Sequence, residues 1–439
     1  MNMMQSEITH RGIRQNQVEV TTDCWLGHTR LPIQGLDSKW DHPFINKKGN
    51  IFSGVGEFFD FREKPGESEA ENDFDVFIKY YEKMGDRAFA RFDGFWSFIA
   101  YNNDSQNFYI YTDFLAKKPL YYRCLKPDTY AVSSEIKPLM TLDDVTADEL
   151  YFSTVAKWGY CMDNRTPYKE ITKIPANTCM AIRLGRTPSF YQYMVPLAPK
   201  TKYNIRERIV KAVERRMISD IPVAILCSGG LDSTIILKIV QGITDNYHVF
   251  TVPNGTDAEF VPYLEIPPDK LTTLNLGTLD LIYNSLYWNE SPVDLGSVLP
   301  QYALSCAIKK EGYNVVLSGD GADELFGGYG RARKYDSQYS DIFHELVFYH
   351  LPRLDKLMMA NTIELRCPFL SRDIVEGAMA IVREQRTEKQ FLKKLFPDLV
   401  PKEIRDRDKE PLKITELRKE DTLNYRLDLI DMFREENCI

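Results

Sequence analysis

The stretch that most constrains this chain is Cys227-Ser228-Gly229-Gly230-Leu231-Asp232-Ser233. It follows the apolar run Pro222-Val223-Ala224-Ile225-Leu226 and precedes Thr234-Ile235-Ile236-Leu237-Lys238-Ile239-Val240. That pattern predicts a short buried strand, a tight glycine turn and a helix. The N–H groups freed at the helix start converge on one spot, where the helix dipole adds positive potential, and such a nest holds a phosphate or pyrophosphate. Asp232 can hold Mg²⁺, and the hydroxyls of Ser228 and Ser233 add donors. A lone Gly-Gly turn would read as a plain joint; the whole Ser-Gly-Gly-Leu-Asp-Ser unit points to phosphate. No Gly-Lys-Ser/Thr follows, so this is not a Walker loop.

Bulk properties narrow the class. A chain of 439 residues has room for two or three domains. A net charge of -8 argues against a broad nucleic-acid-binding surface. Eight cysteines without a Cys-x-x-Cys pair read as reduced thiols rather than a disulfide framework or zinc site. The opening Met1-Asn2-Met3-Met4-Gln5-Ser6-Glu7 lacks the apolar core of a signal peptide, and no apolar run approaches a membrane span. The expectation is a soluble cytoplasmic protein with no nucleic-acid or membrane partner.

The second half alternates helices and strands. A helical spacing over 205–219 leads into the phosphate loop, Tyr247-His248-Val249-Phe250-Thr251-Val252 reads as a second strand, and a helical run at 304–310 precedes a third, Asn314-Val315-Val316-Leu317. This alternation predicts a parallel sheet with its site at the strand C-terminal ends. The third strand opens into Ser318-Gly319-Asp320-Gly321-Ala322-Asp323-Glu324-Leu325-Phe326-Gly327-Gly328-Tyr329. Three acids beside four glycines are too dense for an ordinary connector, although a solvated acidic turn capping a helix is the plainer alternative. The glycines allow close approach to a nucleotide, Asp323 can share Mg²⁺ with Asp232, and Asp320 is placed to act as a base towards an attacking amine.

The first loop resembles the pyrophosphate loop of ATP pyrophosphatases, which split ATP between the α and β phosphates. The second resembles the second signature of the asparagine synthetase family. Asn289-Glu290-Ser291-Pro292-Val293-Asp294, with Ser297 and Pro300, resembles that family's carboxylate-substrate segment. Asp355, Met358-Met359-Ala360 and Ile363-Glu364-Leu365-Arg366-Cys367-Pro368-Phe369-Leu370 resemble a structural signature, in which Ser371 stands where the family has aspartate. Glu364 and Arg366 are expected to form a buried structural ion pair. Lys389, Lys393 and Arg407-Asp408-Lys409-Glu410 complete the resemblance, and residues 413–439 read as a solvated helix or a disordered end.

The first half carries short alternating segments, such as Asn107-Phe108-Tyr109-Ile110-Tyr111-Thr112 and Cys179-Met180-Ala181-Ile182-Arg183, with amphipathic helices over 73–83 and 146–158. His10-Arg11-Gly12, His28-Thr29-Arg30-Leu31-Pro32-Ile33, Gly56-Glu57-Phe58-Phe59, Phe92-Asp93-Gly94-Phe95-Trp96 and Asp113-Phe114-Leu115-Ala116-Lys117-Lys118-Pro119-Leu120 follow in order. They resemble the glutaminase domain of glutamine-dependent asparagine synthetases, one of the N-terminal-nucleophile amidotransferases. Arg30 and Asp73 match positions that hold glutamine in that family. The departures fall on the chemistry. Asn2 stands where the family has its nucleophilic cysteine. Val55 replaces the asparagine that helps form the oxyanion hole, and valine offers no donor. Cys24 is internal and adjacent to Asp23, which would raise its pKa. The expectation is a truncated, nucleophile-less domain without glutaminase activity.

The implied architecture is an α+β N-terminal-nucleophile-amidotransferase-like sandwich over residues 1–195, a linker at 196–203, and an α/β parallel-sheet ATP pyrophosphatase domain over 204–439. The implied activity is that of an AMP-forming ligase using ATP and Mg²⁺. A carboxylate attacks the ATP α-phosphorus, and pyrophosphate leaves into the nest of Ser228, Gly229, Gly230, Leu231, Asp232 and Ser233. Mg²⁺ sits on Asp232 and Asp323, Lys409 stabilises charge, and Leu226, Val252, Ser318 and Gly319 line the nucleotide pocket. An amine then attacks the acyl-adenylate while Asp320 takes up a proton. The resemblance favours aspartate as the carboxylate and free ammonia as the nitrogen source, and it leaves a homodimer open. β-Lactam synthetases and lasso-peptide cyclases share the architecture and use an amine already present in the substrate. A non-catalytic regulatory protein is the third alternative, but it would show decay of the two loops and Lys409.

Overall fold

The fold was obtained as a computed structural model, which describes residues 2–183, 185–252, 256–274, 281–406 and 423–437. The first half is antiparallel. A hairpin of β1 (Arg14–Thr21) and β2 (Cys24–Arg30) is followed by β3 (Phe44–Ile45), β4 (Ile51–Phe58), β5 (Gly94–Asn102) and β6 (Asn107–Thr112). After β7 (Tyr121–Lys126), β8 (Thr129–Ser133) and β9 (Ile171–Lys173) come β10 (Thr178–Arg183) and β11 (Ser189–Gln192). One sheet has the order β11-β10-β6-β5-β4-β3 and a smaller one β8-β7-β9. The helix Asp73–Met84 starts at the Asn72 N-cap, whose side chain accepts from Asp75 N. It buries Phe74, Val76, Phe77 and Ile78 at the spacing the sequence predicts.

The second half is a five-stranded parallel sheet of β12 (Val223–Leu226), β13 (His248–Thr251), β14 (Leu271–Thr273), β15 (Val315–Leu317) and β16 (Glu364–Arg366), in the order β14-β13-β12-β15-β16. Helices Ile205–Arg216, Leu231–Ile243 and Leu295–Lys310 flank it. The short edge strands β14 and β16 were not legible in the sequence. Of the two readings of this end, a solvated helix or a disordered tail, the structure has a helix over Leu423–Asn437, and one face of it is buried. Leu429, Ile430 and Phe433 are buried, with Ile430 and Phe433 packing against the helix Glu149–Trp158. Its apolar residues are spaced by charges, so a mixed composition hides a one-sided face. No described helix is long and apolar enough to cross a membrane, and the seven described cysteines are free thiols.

The halves share one core: an apolar cluster runs from Phe58, Phe77 and Trp96 into Ile209, Ile225 and Phe369. Buried charge also crosses between them. Asp355 accepts from Arg11 Nη2 and Lys118 Nζ, both at 2.8 Å. Glu290 accepts from the backbone N–H of Ile136 and Lys137 at 2.8 Å, from Lys137 Nζ at 3.1 Å and from Lys356 Nζ at 2.8 Å. Arg366 Nε donates to Glu364 Oε1 at 2.8 Å, the buried pair expected from the sequence, and its Nη2 lies 3.6 Å from Glu57. Burial pushes the carboxyls of Glu290 and Asp355 up. For Glu290 the ammonium groups of Lys137 and Lys356 outweigh it, and for Asp355 Arg11 and Lys118 do. Both therefore lie below the ordinary range.

Asp355→Asn leaves Arg11 and Lys118 facing a neutral group, and urea denaturation should show a loss of about 3–5 kcal/mol. The depressed carboxyls also fix a pH response. Their stabilisation is complete above the unfolded carboxyl values near ~4 and is lost as pH falls through the lower folded values. Unfolding free energy should be flat in this term above about pH 5 and fall below about pH 4, with a smaller acid-induced loss in Asp355→Asn.

Candidate active site

Parallel pairing places the two singled-out loops side by side. β12 runs beside β15, with Ile225 opposite Leu317, so Cys227–Gly230 and Ser318–Gly321 leave adjacent strand ends. The first turn is tied by its own serines. Ser233 Oγ donates to Gly230 O at 3.2 Å, Ser228 N donates to Ser233 Oγ at 3.3 Å, and Gly230 N donates to Ser228 Oγ at 3.2 Å. Gly230 is the N-cap of the 13-residue helix that contains Leu231, Asp232 and Ser233, and it contributes no capping side chain. The positive end of that helix is therefore open to an anionic group.

In the second loop, Ser318 N donates to Arg366 O at 3.0 Å, and Ser318 Oγ donates to Asp320 Oδ2 at 2.6 Å. The Cys367 thiol lies beside Ser318 Oγ; burial first, then the Asp320 carboxylate, push it up to about 12. The sequence assigned the loop's glycines to nucleotide approach. Gly319 also lets the two loops approach one another: a Cβ there would meet Asp232 Cβ at 2.8 Å, and within the acidic loop one on Gly328 would meet Asp323 Oδ1 at 1.8 Å.

Lys389 joins the loops. Its ammonium lies between the carboxylates, bonded to Asp232 Oδ2 and 2.6 Å from Asp323 Oδ1. Burial alone would lower its pKa, but the two carboxylates outweigh it and hold it above the ordinary lysine value. Glu388 and Lys389 both have φ of +59°, a left-handed conformation costly for side chains of this kind. The chain thus accepts backbone strain where this ammonium is delivered. The sequence noted Lys389 only as part of a resemblance; its place in space depends on a turn that no local pattern announces.

A cation already stands between Asp232 and Asp323, so the spot suits positive charge. Among the described residues no group of three or more His, Cys, Asp or Glu side chains could hold a metal. Two carboxylates completed by substrate phosphates and water match the habit of Mg²⁺, so the residues present fit that ion. Leu226 and Val252 fall in one apolar cluster at the ends of β12 and β13, next to Ser318 and Gly319 across β12. Lys409 lies outside the described residues. Everything else singled out in the two loops is brought to one end of the sheet.

Two family models cover most of the chain. A glutamine amidotransferase domain matches residues 1–194, and asparagine synthase matches 204–346 and 335–431. The chain is 27% identical over 447 residues to asparagine synthetase [glutamine-hydrolyzing] 1 of Lotus japonicus, covering 92% of this chain and 72% of that protein. It is 26% identical over 446 residues to asparagine synthetase [glutamine-hydrolyzing] of Zea mays, with the same shares. With both halves matched in order and the two loops facing each other over adjacent parallel strands, the chain belongs to the asparagine synthetase family.

Proposed function

We propose that this chain converts a carboxylate to an amide through an acyl-adenylate, taking the nitrogen from free ammonia and not from glutamine. Membership of the family makes it an ATP-dependent enzyme that forms carbon–nitrogen bonds. The observation that carries the finer reading is the meeting of the phosphate loop and the acidic loop through Lys389. A carboxylate oxygen attacks the α-phosphorus, the bond to the β-phosphate oxygen breaks, and pyrophosphate leaves towards the start of the helix Leu231–Ile243. Asp232 and Asp323 would hold Mg²⁺, which neutralises phosphate charge when bound. Ammonia attacks the acyl carbon, Asp320 accepts its proton, and AMP departs. Aspartate is the first candidate carboxylate, since the relatives carry asparagine in their names.

Three features of the first half support an inactive glutaminase. Val55, in β4, brings no side-chain donor to an oxyanion. The guanidinium of Arg30, which the resemblance assigns to glutamine, is already spent within the chain. Its Nη1 donates to Asp41 Oδ1 at 2.7 Å, and its Nη2 donates to Gln34 O at 2.9 Å and Gly35 O at 2.6 Å. The Asp41 carboxylate is thus already paired with this guanidinium. Burial, rather than the neighbouring Asp23, pushes the Cys24 thiol up to about 11, so it is protonated and non-nucleophilic at neutral pH.

Pyrophosphate release with ATP, aspartate and ammonium should proceed, yield asparagine, and vanish in Asp232→Ala, while glutamine in place of ammonium gives nothing. Equal turnover with glutamine would overturn the inactive-glutaminase reading. Labelled pyrophosphate exchange with some other carboxylate, and none with aspartate, would move the protein to the class that uses a substrate amine. Lys389→Met should lower the rate about 100-fold. It also removes the built-in cation, so Mg²⁺ should raise the Tm of this variant more than that of the parent; equal shifts would remove Lys389 from the ion site.

A further inference from the structure

A cavity opens where the halves meet, lined from the first half by Lys173, Tyr121 and Tyr151 and from the second by Arg353, Lys356 and Glu290. Its charge does not balance. Glu290, the one buried carboxylate in the wall, is consumed by Lys137, Lys356 and two backbone N–H groups. Asp163 is paired with Arg165. Two buried cations remain without a carboxylate partner among the described residues. Arg353 is only 9% exposed, yet its Nε and Nη1 have no hydrogen-bond partner. Its Nη2 is 3.4 Å from His350 Nδ1, and its guanidinium lies over the Tyr349 ring. Lys173 is 5% exposed and donates to the carbonyl of Val347. Burial first, then the neighbouring Lys356, hold its pKa down to about 7.

Burying a lysine amine and a guanidinium without a counter-charge is costly. Their place in the lining of one cavity marks a site for an anion that comes from outside. Arg353 also connects the cavity wall to the acidic loop through His350. His350, bonded to Arg353, has its Nε2 3.4 Å from Glu324 Oε1 and 3.4 Å from the Tyr329 hydroxyl, both carried by the acidic loop.

We infer that this cavity binds a carboxylate of the acyl substrate other than the one that is activated, gripped by Lys173 of the first half and Arg353 of the second. The inference rests on the proposed reaction, which takes a carboxylate substrate; aspartate carries two. It assigns the amidotransferase-like half a working role: it supplies one side of the substrate site.

The test is calorimetric titration of the full chain, without ATP, with L-aspartate, L-glutamate, succinate and inorganic phosphate. At least one of the three acids should bind, and Lys173→Met and Arg353→Met should each weaken it tenfold or more. ATP affinity should be unchanged in both, and Lys173→Arg and Arg353→Lys should retain acid binding. Removing an uncompensated buried charge should leave the Tm of both methionine variants at or above that of the parent, which separates lost binding from lost folding. Acid binding unaffected by both methionine variants, binding of phosphate alone, or no binding of any acid would each overturn the proposal. Failure of the parent to bind ATP would count against the adenylation reading, while acid binding would still decide the cavity.

Discussion

Opposite charges brought together out of water hold the two halves of this protein in register. Glu290 and Asp355 belong to the synthetase half, and each is neutralised by cations of the amidotransferase-like half. Neither side could bury its share alone without a severe desolvation cost. The relative position of everything at their boundary follows from these contacts. The cavity walled by Lys173 and Arg353 exists because the same boundary fixes both walls.

The second-half centre was the most legible part of the sequence. Apolar runs of four residues ending in glycine-rich polar strings encode strand and loop within one short window. The pairing of β12 with β15 then follows from the handedness and adjacency rules of parallel sheets. Lys389 was legible as a residue but not as a bridge, because 157 positions separate it from Asp232 and only the tertiary fold closes that gap. β14 and β16, three residues each, are too short for any periodicity to emerge. The buried face of the terminal helix escaped the sequence for the opposite reason: its charges dominate the composition, while Leu429, Ile430 and Phe433 find cover only once the helix 149–158 and its neighbours are folded.

In the first half the sequence disclosed what was missing, such as a donor at Val55, but not what had taken its place. That Asp41 occupies the guanidinium of Arg30 is a fact of geometry between a strand end and a loop eleven residues later. Similarly, the Cys24 thiol is pushed up by burial, a quantity that a neighbour-by-neighbour reading of charges does not contain. Substitutions can be read from a sequence, whereas the rearrangements that accommodate them are properties of packing.

The ammonium of Lys389 has one more consequence. A carboxylate pair that can be closed only by a dissolved ion ties its own assembly to the supply of that ion. Here the counter-ion is tethered to the chain and present at every concentration of salt or chelator. Assembly of the two loops is thus uncoupled from ion loading. A divalent ion held by these carboxylates would enter by exchange with a charge already in place, so the site would change its partner without passing through a state of bare, mutually repelling carboxylates.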